Sequence, residues 1–246
     1  MSGAVRREPG RVRRPPPRSV DELEARAAAL HGLSLGRLAA DLDAPVPVEL
    51  RRAKGWVGQL VEAALGAEAG SRPHPDFEAL GVELKTIPVA DDGQPHESTF
   101  VCTAPVAGAF ETSWEASRVR RKLARVLWVP VHGRRGSELA ARVIGRPRLW
   151  VPDRDEAEAL ASDWWRLSEL IAGGELHRIH GGLGAVLQLR PKGANAADFA
   201  WMIDEEGEWV RSVPYGFYLR TGFTRRVLAG GGHPSGQGRA ASASFP

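Results

Sequence analysis

Gly81-Val82-Glu83-Leu84-Lys85-Thr86-Ile87-Pro88-Val89 is the stretch on which the fold turns. It is rich in β-branched and apolar residues and reads as a strand. In a strand Val82, Leu84 and Thr86 point to one face, Glu83 and Lys85 to the other. A second acid, Asp76, stands in the preceding segment with six residues between it and Glu83. An acid and a lysine on one strand face, joined by an acid entering from the side, can hold Mg²⁺ against a phosphodiester. That ion takes hard oxygen ligands and keeps waters that can act as nucleophile. A lysine beside it can orient or deprotonate the water and offset developing negative charge. Taken alone, Glu-x-Lys on a strand is usually a solvated charge pair.

Three features outside the strand add weight. The chain holds only four lysines, Lys54, Lys85, Lys122 and Lys192, and its other cations are arginines. The two are interchangeable on a wet surface but not where a compact, tunable ammonium is needed. Upstream, Lys54 to Gly66 reads as an amphipathic helix with Trp56, Val57, Leu60, Val61, Ala64 and Leu65 as its apolar stripe and Gly66 as its stop. Glu62 lies at the edge of that stripe, where it is either a boundary residue or a third carboxylate for a metal site. Downstream, Arg118 to Arg148 contains ten Lys and Arg residues against one acid, Glu138. Arg118, Arg120, Arg121, Lys122 and Arg125 sit on a short helix that runs into the strand Val126–Val131. Such density favours a phosphate-binding face.

The rest of the chain sets bounds. A length of 246 residues suits one domain with a sizeable core, divided around a cleft. Residues 1–18 hold six arginines and one glutamate among prolines and read as a disordered basic leader. Residues 230–246 read as a flexible Gly/Ser/Ala-rich tail, leaving 19–229 as the folded domain. No apolar run follows the leader arginines, so they do not read as a secretory signal, and none approaches a membrane span. The one cysteine, Cys102, has no internal partner for a disulfide and reads as a buried strand residue of a cytoplasmic protein. The seven histidines have no zinc spacing. Helices are expected at Val20–Leu30, Ser34–Leu42, Arg51–Leu65, Arg118–Ala124, Asp155–Ala172, Asn195–Ile203 and Thr221–Leu228. Strands are expected at Val82–Val89, Thr99–Thr103, Val126–Val131, Ala185–Leu189 and Phe217–Leu219. Strands alternating with helices indicate an α/β sandwich with a mixed sheet.

Nine stretches belong together: Lys54-Gly55-Trp56-Val57-Gly58, Ala69-Gly70-Ser71, Asp76-Phe77, Leu80 to Val89, Thr99-Phe100-Val101-Cys102, Val119-Arg120, Arg125 to Val131, Leu189-Arg190-Pro191-Lys192 with Ala194-Asn195-Ala196, and Gly216-Phe217-Tyr218-Leu219. In these the chain resembles the MutH family of mismatch-repair endonucleases, which looks like a branch of the type II restriction-enzyme fold. The resemblance runs from about residue 20 to about residue 229. It implies a restriction-endonuclease-like mixed sheet flanked by helices, with two lobes around a DNA-binding cleft. It further implies Mg²⁺-dependent nicking of the unmethylated strand, 5′ of the G, at hemimethylated GATC in duplex DNA. The enzyme would act as a monomer, after MutS finds a mismatch and MutL activates it. By position, Asp76 and Glu83 match the metal-binding acids, with the Leu84 carbonyl and Glu62 completing a site for one or two ions. Lys85 matches the catalytic lysine and Lys122 a second active-site cation. Lys54, Phe100, Arg190, Pro191, Lys192 and Tyr218 match DNA-contacting positions, the last four tied to the recognition sequence and its methyl state. The sequence departs from the family pattern at Gly70 to Pro75, at Ile203 to Arg211 and after Ala229. The resemblance links the family's C-terminal segment, the last of these, to control by MutL.

Two other readings stand beside the repair nickase: a GATC-cutting restriction endonuclease, and a non-catalytic DNA-binding or MutL-docking module. Intact Asp76, Glu83 and Lys85 argue against the module. Oligomeric state separates the other two, since cutting both strands generally takes two active sites.

Overall fold

The computed structural model describes residues 14–48, 55–68, 74–104, 113–134, 136–192, 200–203, 209–212 and 214–230. Most of the leader, most of the tail, Lys54 and the departures at residues 70–73 lie outside them.

Three helices open the chain: α1 (Val20–Ala28), α2 (Leu35–Asp41) and α3 (Trp56–Leu65). Ser19 and Ser34 cap the first two by accepting hydrogen bonds from the Glu22 and Arg37 amides. Gly66 stops α3 in the left-handed conformation (φ 83°), where a residue with a Cβ is strained.

The stretch 81–89 is a strand, β1 (Glu83–Val89). It pairs in parallel with β3 (Val126–His132), with Glu83 opposite Val126 and Val89 opposite His132. Two short strands, β4 (Val143–Ile144) and β5 (Arg148–Trp150), pair antiparallel with β3 and complete a four-stranded mixed sheet. Both faces of this sheet are covered. Val82, Leu84, Leu127, Val129 and Val131 pack into a core with α1, α2 and α3. Ile87, Val89, Val126 and Trp128 pack into a second core on the other face. Full burial makes β3 apolar at nearly every position, as expected of a central strand with a parallel neighbour. In β1 the second face starts with Glu83 and Lys85 and turns apolar only at Ile87. The polar pair therefore sits at the strand's N-terminal end, where the second core opens.

A separate antiparallel sheet has the order β2 (Thr99–Thr103), β9 (Tyr215–Leu219), β6 (Leu187–Pro191). Its apolar side joins the second core with α4 (Arg118–Leu123), α5 (Arg154–Ala172) and α6 (Thr221–Ala229). Leu160, Trp164, Leu167 and Ile171 of α5 are the buried stripe that the 4, 3, 4 spacing predicts. Asp153 and Glu156 close a capping box at its start. Cys102 is buried in β2, as expected.

The structure corrects one element. Ala200–Ile203 is a strand, β7, pairing antiparallel with β8 (Trp209–Ser212), and not the end of a helix from Asn195. Residues 195–199 lie outside the described set. The strand Ala185–Leu189 is shifted to Leu187–Pro191, and Asp163 of α5 gives the reason. Its buried carboxylate accepts from the amides of Ala185 (3.0 and 2.8 Å, one to each oxygen), Val186 (2.7 Å) and Leu187 (2.9 Å). Arg220, ahead of α6, donates to the carbonyls of Gly181, Leu183 and Gly184 at 2.7, 2.8 and 2.8 Å. Between them the two side chains tie down the loop that leads into β6. Among the described residues no helix is long and apolar enough to cross a membrane.

Candidate active site and nucleic-acid interface

Strand alternation decides what the N-terminal end of β1 offers. The Glu83 amide donates to the Arg125 carbonyl (3.0 Å), so Glu83 turns its backbone toward β3. Leu84 must turn its backbone the other way, to the free edge. Asp76 meets it there: the Leu84 amide donates to Asp76 Oδ2 at 2.8 Å. The Leu84 carbonyl faces the same edge. Asp76 and Glu83 are only 7% and 2% exposed, rare burial for acids.

Glu83 is held by two lysines, one on each oxygen. Lys85 Nζ lies 2.7 Å from Oε1 and Lys122 Nζ 2.8 Å from Oε2. Lys122 also donates to the His74 carbonyl at 3.1 Å, tying the segment before Asp76 to α4. α4 is capped by Ser117, whose hydroxyl accepts from the Arg120 amide. It turns Lys122 inward while Arg118, Arg120 and Arg121 stay exposed. Among the described residues no cation pairs directly with Asp76. Burial, and after it the charge of Glu83, push its pKa above the ordinary carboxylate value; the Leu84 amide and the two lysines pull the other way. Two acids that feel each other's charge beside a strand carbonyl make a set of hard oxygen donors. Such a set fits a divalent cation, which would relieve their repulsion.

Glu62 is half-buried on α3. It lies near Thr86: a Cβ on Gly58 would be 3.8 Å from both Glu62 Oε1 and Thr86 Oγ1. It lines a cleft together with Leu84 and Lys85. Among the described residues, no three carboxylate, imidazole or thiol groups gather closely enough to ligate one ion, so Glu62 does not join Asp76 and Glu83 in a single cluster.

The cleft has a volume of about 730 Å³, and its lining runs from Glu62 and β1 to Phe100, Arg190, Pro191, Lys192 and Tyr218 of the second sheet. Phe100 is not core: its ring meets Tyr218 edge-on, centroids 5.3 Å apart. Arg190 and Lys192 emerge from one end of β6, and both are exposed. Arg190 lies over the Tyr218 ring (5.7 Å) and donates to the Ser98 hydroxyl at 2.7 Å. Lys192 lies over the Phe100 ring (4.7 Å) and donates to Thr103 Oγ1 at 2.9 Å. Burial raises the Tyr218 hydroxyl pKa, and Arg190 opposes the shift. Of the expected site residues, Asp76, Glu83, Lys85 and Lys122 converge at one place. Phe100, Arg190, Pro191, Lys192 and Tyr218 converge at another, in the cleft that Glu62 and Lys85 also line. Ser98 and Thr103, which hold the two cations, carry no signal in the sequence.

A mixed sheet carrying two buried acids and two lysines at the edge strand, beside a cation-rimmed cleft, defines a restriction-endonuclease-like nuclease, a hydrolase of phosphodiester bonds. Comparison with known proteins narrows the class. A family model described as "DNA mismatch repair enzyme MutH" matches residues 65–163. The chain is 52% identical over 214 residues to the DNA mismatch repair protein MutH of Klebsiella pneumoniae, covering 87% of this chain and 93% of that protein. It is 52% identical over 213 residues to MutH of Shewanella amazonensis (87% and 95%). Against MutH of Vibrio parahaemolyticus it is 48% identical over 215 residues (87% and 95%). The chain belongs to the MutH family and is a DNA mismatch repair endonuclease.

Proposed function

We propose that this endonuclease recognises GATC in duplex DNA and nicks 5′ of the G on the strand lacking adenine methylation, as a monomer in the cytoplasm. MutS would signal the mismatch and MutL would activate the nick. The observation that carries the reading is the pairing of two groups along one cleft. Leu84 and Lys85 line one part of it, with Asp76 bonded to the Leu84 amide and Glu83 and Lys122 bonded behind Lys85, and Arg190, Lys192, Phe100 and Tyr218 line the other.

Asp76, Glu83 and the Leu84 carbonyl are the groups that would hold Mg²⁺, with Glu62 serving a second ion or its waters. The bound metal supplies Lewis acidity and an acidified water. Lys85 orients the attacking water and takes part in its deprotonation. Lys122 moves its charge to the phosphate as negative charge builds there. Glu83 keeps both ammonium groups at the reaction centre and sets the distance between them. Arg190 and Lys192, on either side of the φ-locked Pro191, reach guanine O6 and N7 in the major groove. Tyr218 sits against adenine N6, where a methyl group on the strand to be cut would meet its ring. The exposed arginines of α4 follow the DNA backbone beside the cut. Lys54 is a further DNA contact in this reading and lies outside the described residues.

The test uses plasmids with one GATC site, unmethylated, hemimethylated or fully methylated, with Mg²⁺ and with or without MutL. Nicking confined to the unmethylated strand and increased by MutL is expected. Cutting elsewhere, or indifference to methylation, would leave the nuclease chemistry standing and refute the specificity.

A further inference from the structure

We propose that Gly216 is a positioning residue for methyl discrimination: it is the seat that sets where the Phe100 and Tyr218 rings stand. This rests on the reading above, in which Tyr218 stands against the target adenine and Phe100 is a DNA contact beside it. β9 lies between β2 and β6, and Gly216 is opposite Thr103 on one side and Arg190 on the other. Two residues before Tyr218, it shares that residue's face of the sheet. A Cβ built on Gly216 would stand 2.9 Å from Phe100 Cε2 and 3.0 Å from Tyr218 Cε2. Carbon atoms in contact stand about 3.5–4.0 Å apart, so at least one ring must move by roughly half an ångström.

The rings have little room to move independently. They touch edge-on, Arg190 covers Tyr218, and Lys192 covers Phe100 while bound to Thr103. A shift at either ring therefore reaches Tyr218, Arg190 and Lys192, the three side chains that reading assigns to the bases. The backbone does not explain the glycine, because Gly216 is not among the residues with positive φ. Alanine fits that conformation, and an interior strand glycine ordinarily weakens a strand. The space above it is the feature that only glycine supplies.

The experiment compares full-length wild type, Gly216→Ala and Gly222→Ala. Gly222, on α6, has no described atom within 4 Å of an added Cβ and serves as the substitution control. Nicking of unmethylated and fully methylated single-site plasmids is timed with Mg²⁺, and the ratio of the two rates is taken. The ratio cancels the active fraction, so a partly misfolded variant still gives a valid reading. Recognition of a single methyl-sized group is worth about 10–200-fold, and small misplacements remove much of such an effect. Gly216→Ala is therefore expected to lower the ratio about tenfold while Gly222→Ala keeps the wild-type value. If nicking becomes too slow to time, the ratio of Kd values for the two duplexes in Ca²⁺ is used in the same way. A wild-type ratio retained by Gly216→Ala in either assay overturns the proposal. A wild-type ratio near one would instead refute the methyl reading on which it stands.

Discussion

Asp163→Ala should cost about 3–4 kcal/mol of stability, far more than a helix acid normally carries. The Asp163 carboxylate accepts from three successive amides, Ala185, Val186 and Leu187, at 2.7–3.0 Å. Those of Val186 and Leu187 are buried bonds. Removing the carboxylate leaves two buried N–H groups without an acceptor, at about 1–3 kcal/mol each. Water can reach the third, at Ala185. Alanine returns roughly 0.5 kcal/mol in helix propensity. Asp163→Asn keeps one carbonyl oxygen but aims an NH₂ at donors, so about 1–2 kcal/mol is expected. Urea denaturation reads both variants as a fall in midpoint at constant slope. Amide exchange should speed at residues 185–187 before it does elsewhere. An Asp163→Ala midpoint within about 0.5 kcal/mol of wild type, the range of an ordinary surface substitution, would refute the argument. It would mean that the three amides have other acceptors when the carboxylate is gone.

Glu83→Ala and Lys85→Ala should each lose nicking by at least ~100-fold and still bind DNA in a gel-shift assay; normal nicking by either would break the site assignment. The raised pKa of Asp76 makes the folded protein bind its proton more tightly than the unfolded chain does. Stability must then fall as pH rises from the unfolded value of about 3.8 through the raised folded value, and stay reduced above it. In EDTA at neutral pH, Asp76→Asn should therefore melt higher than wild type. It should also lose the gain in melting temperature that Mg²⁺ gives the parent; a lower melting point in EDTA would contradict the sign. Replacing Arg118 and Arg121 together with glutamine should flatten the dependence of log K on log salt by about 0.9 for each phosphate that the two arginines neutralise. The ratio of methylated to unmethylated rates should stay unchanged, and an unaltered slope would remove α4 from the DNA path.

How much of this was legible in the amino acids depends on the range of the interactions. β1, β3 and α5 could be read because alternation and the 4, 3, 4 stripe are local patterns set by burial. Lysine scarcity pointed to Lys85, Lys122 and Lys192, since a chain built on arginine gives lysine little other reason to appear. The hairpin β7–β8 escaped because a four-residue apolar run has no period, and only its antiparallel partner makes it a strand. The short strands β4 and β5 have the same difficulty. Ser98, Thr103 and Gly216 acquire their roles from register across β2, β9 and β6, which no local pattern encodes. Asp163 looks like any helix acid until the loop before β6 folds back onto it.

The free edge of β1 has one more consequence. A sheet edge with unpaired amides invites a strand from another molecule, and self-association follows. Three residues of β1 turn their backbones outward: Leu84, Thr86 and Pro88. The Leu84 amide is taken by Asp76, and Pro88 has no N–H while its carbonyl accepts from the His96 amide at 3.0 Å. The edge that must stay open for chemistry is therefore a poor template for fibril growth, and the carboxylate assigned to catalysis is one of its guards. Variants that remove Asp76 to silence the enzyme uncover that amide, so their tendency to aggregate at high concentration is worth following alongside their activity.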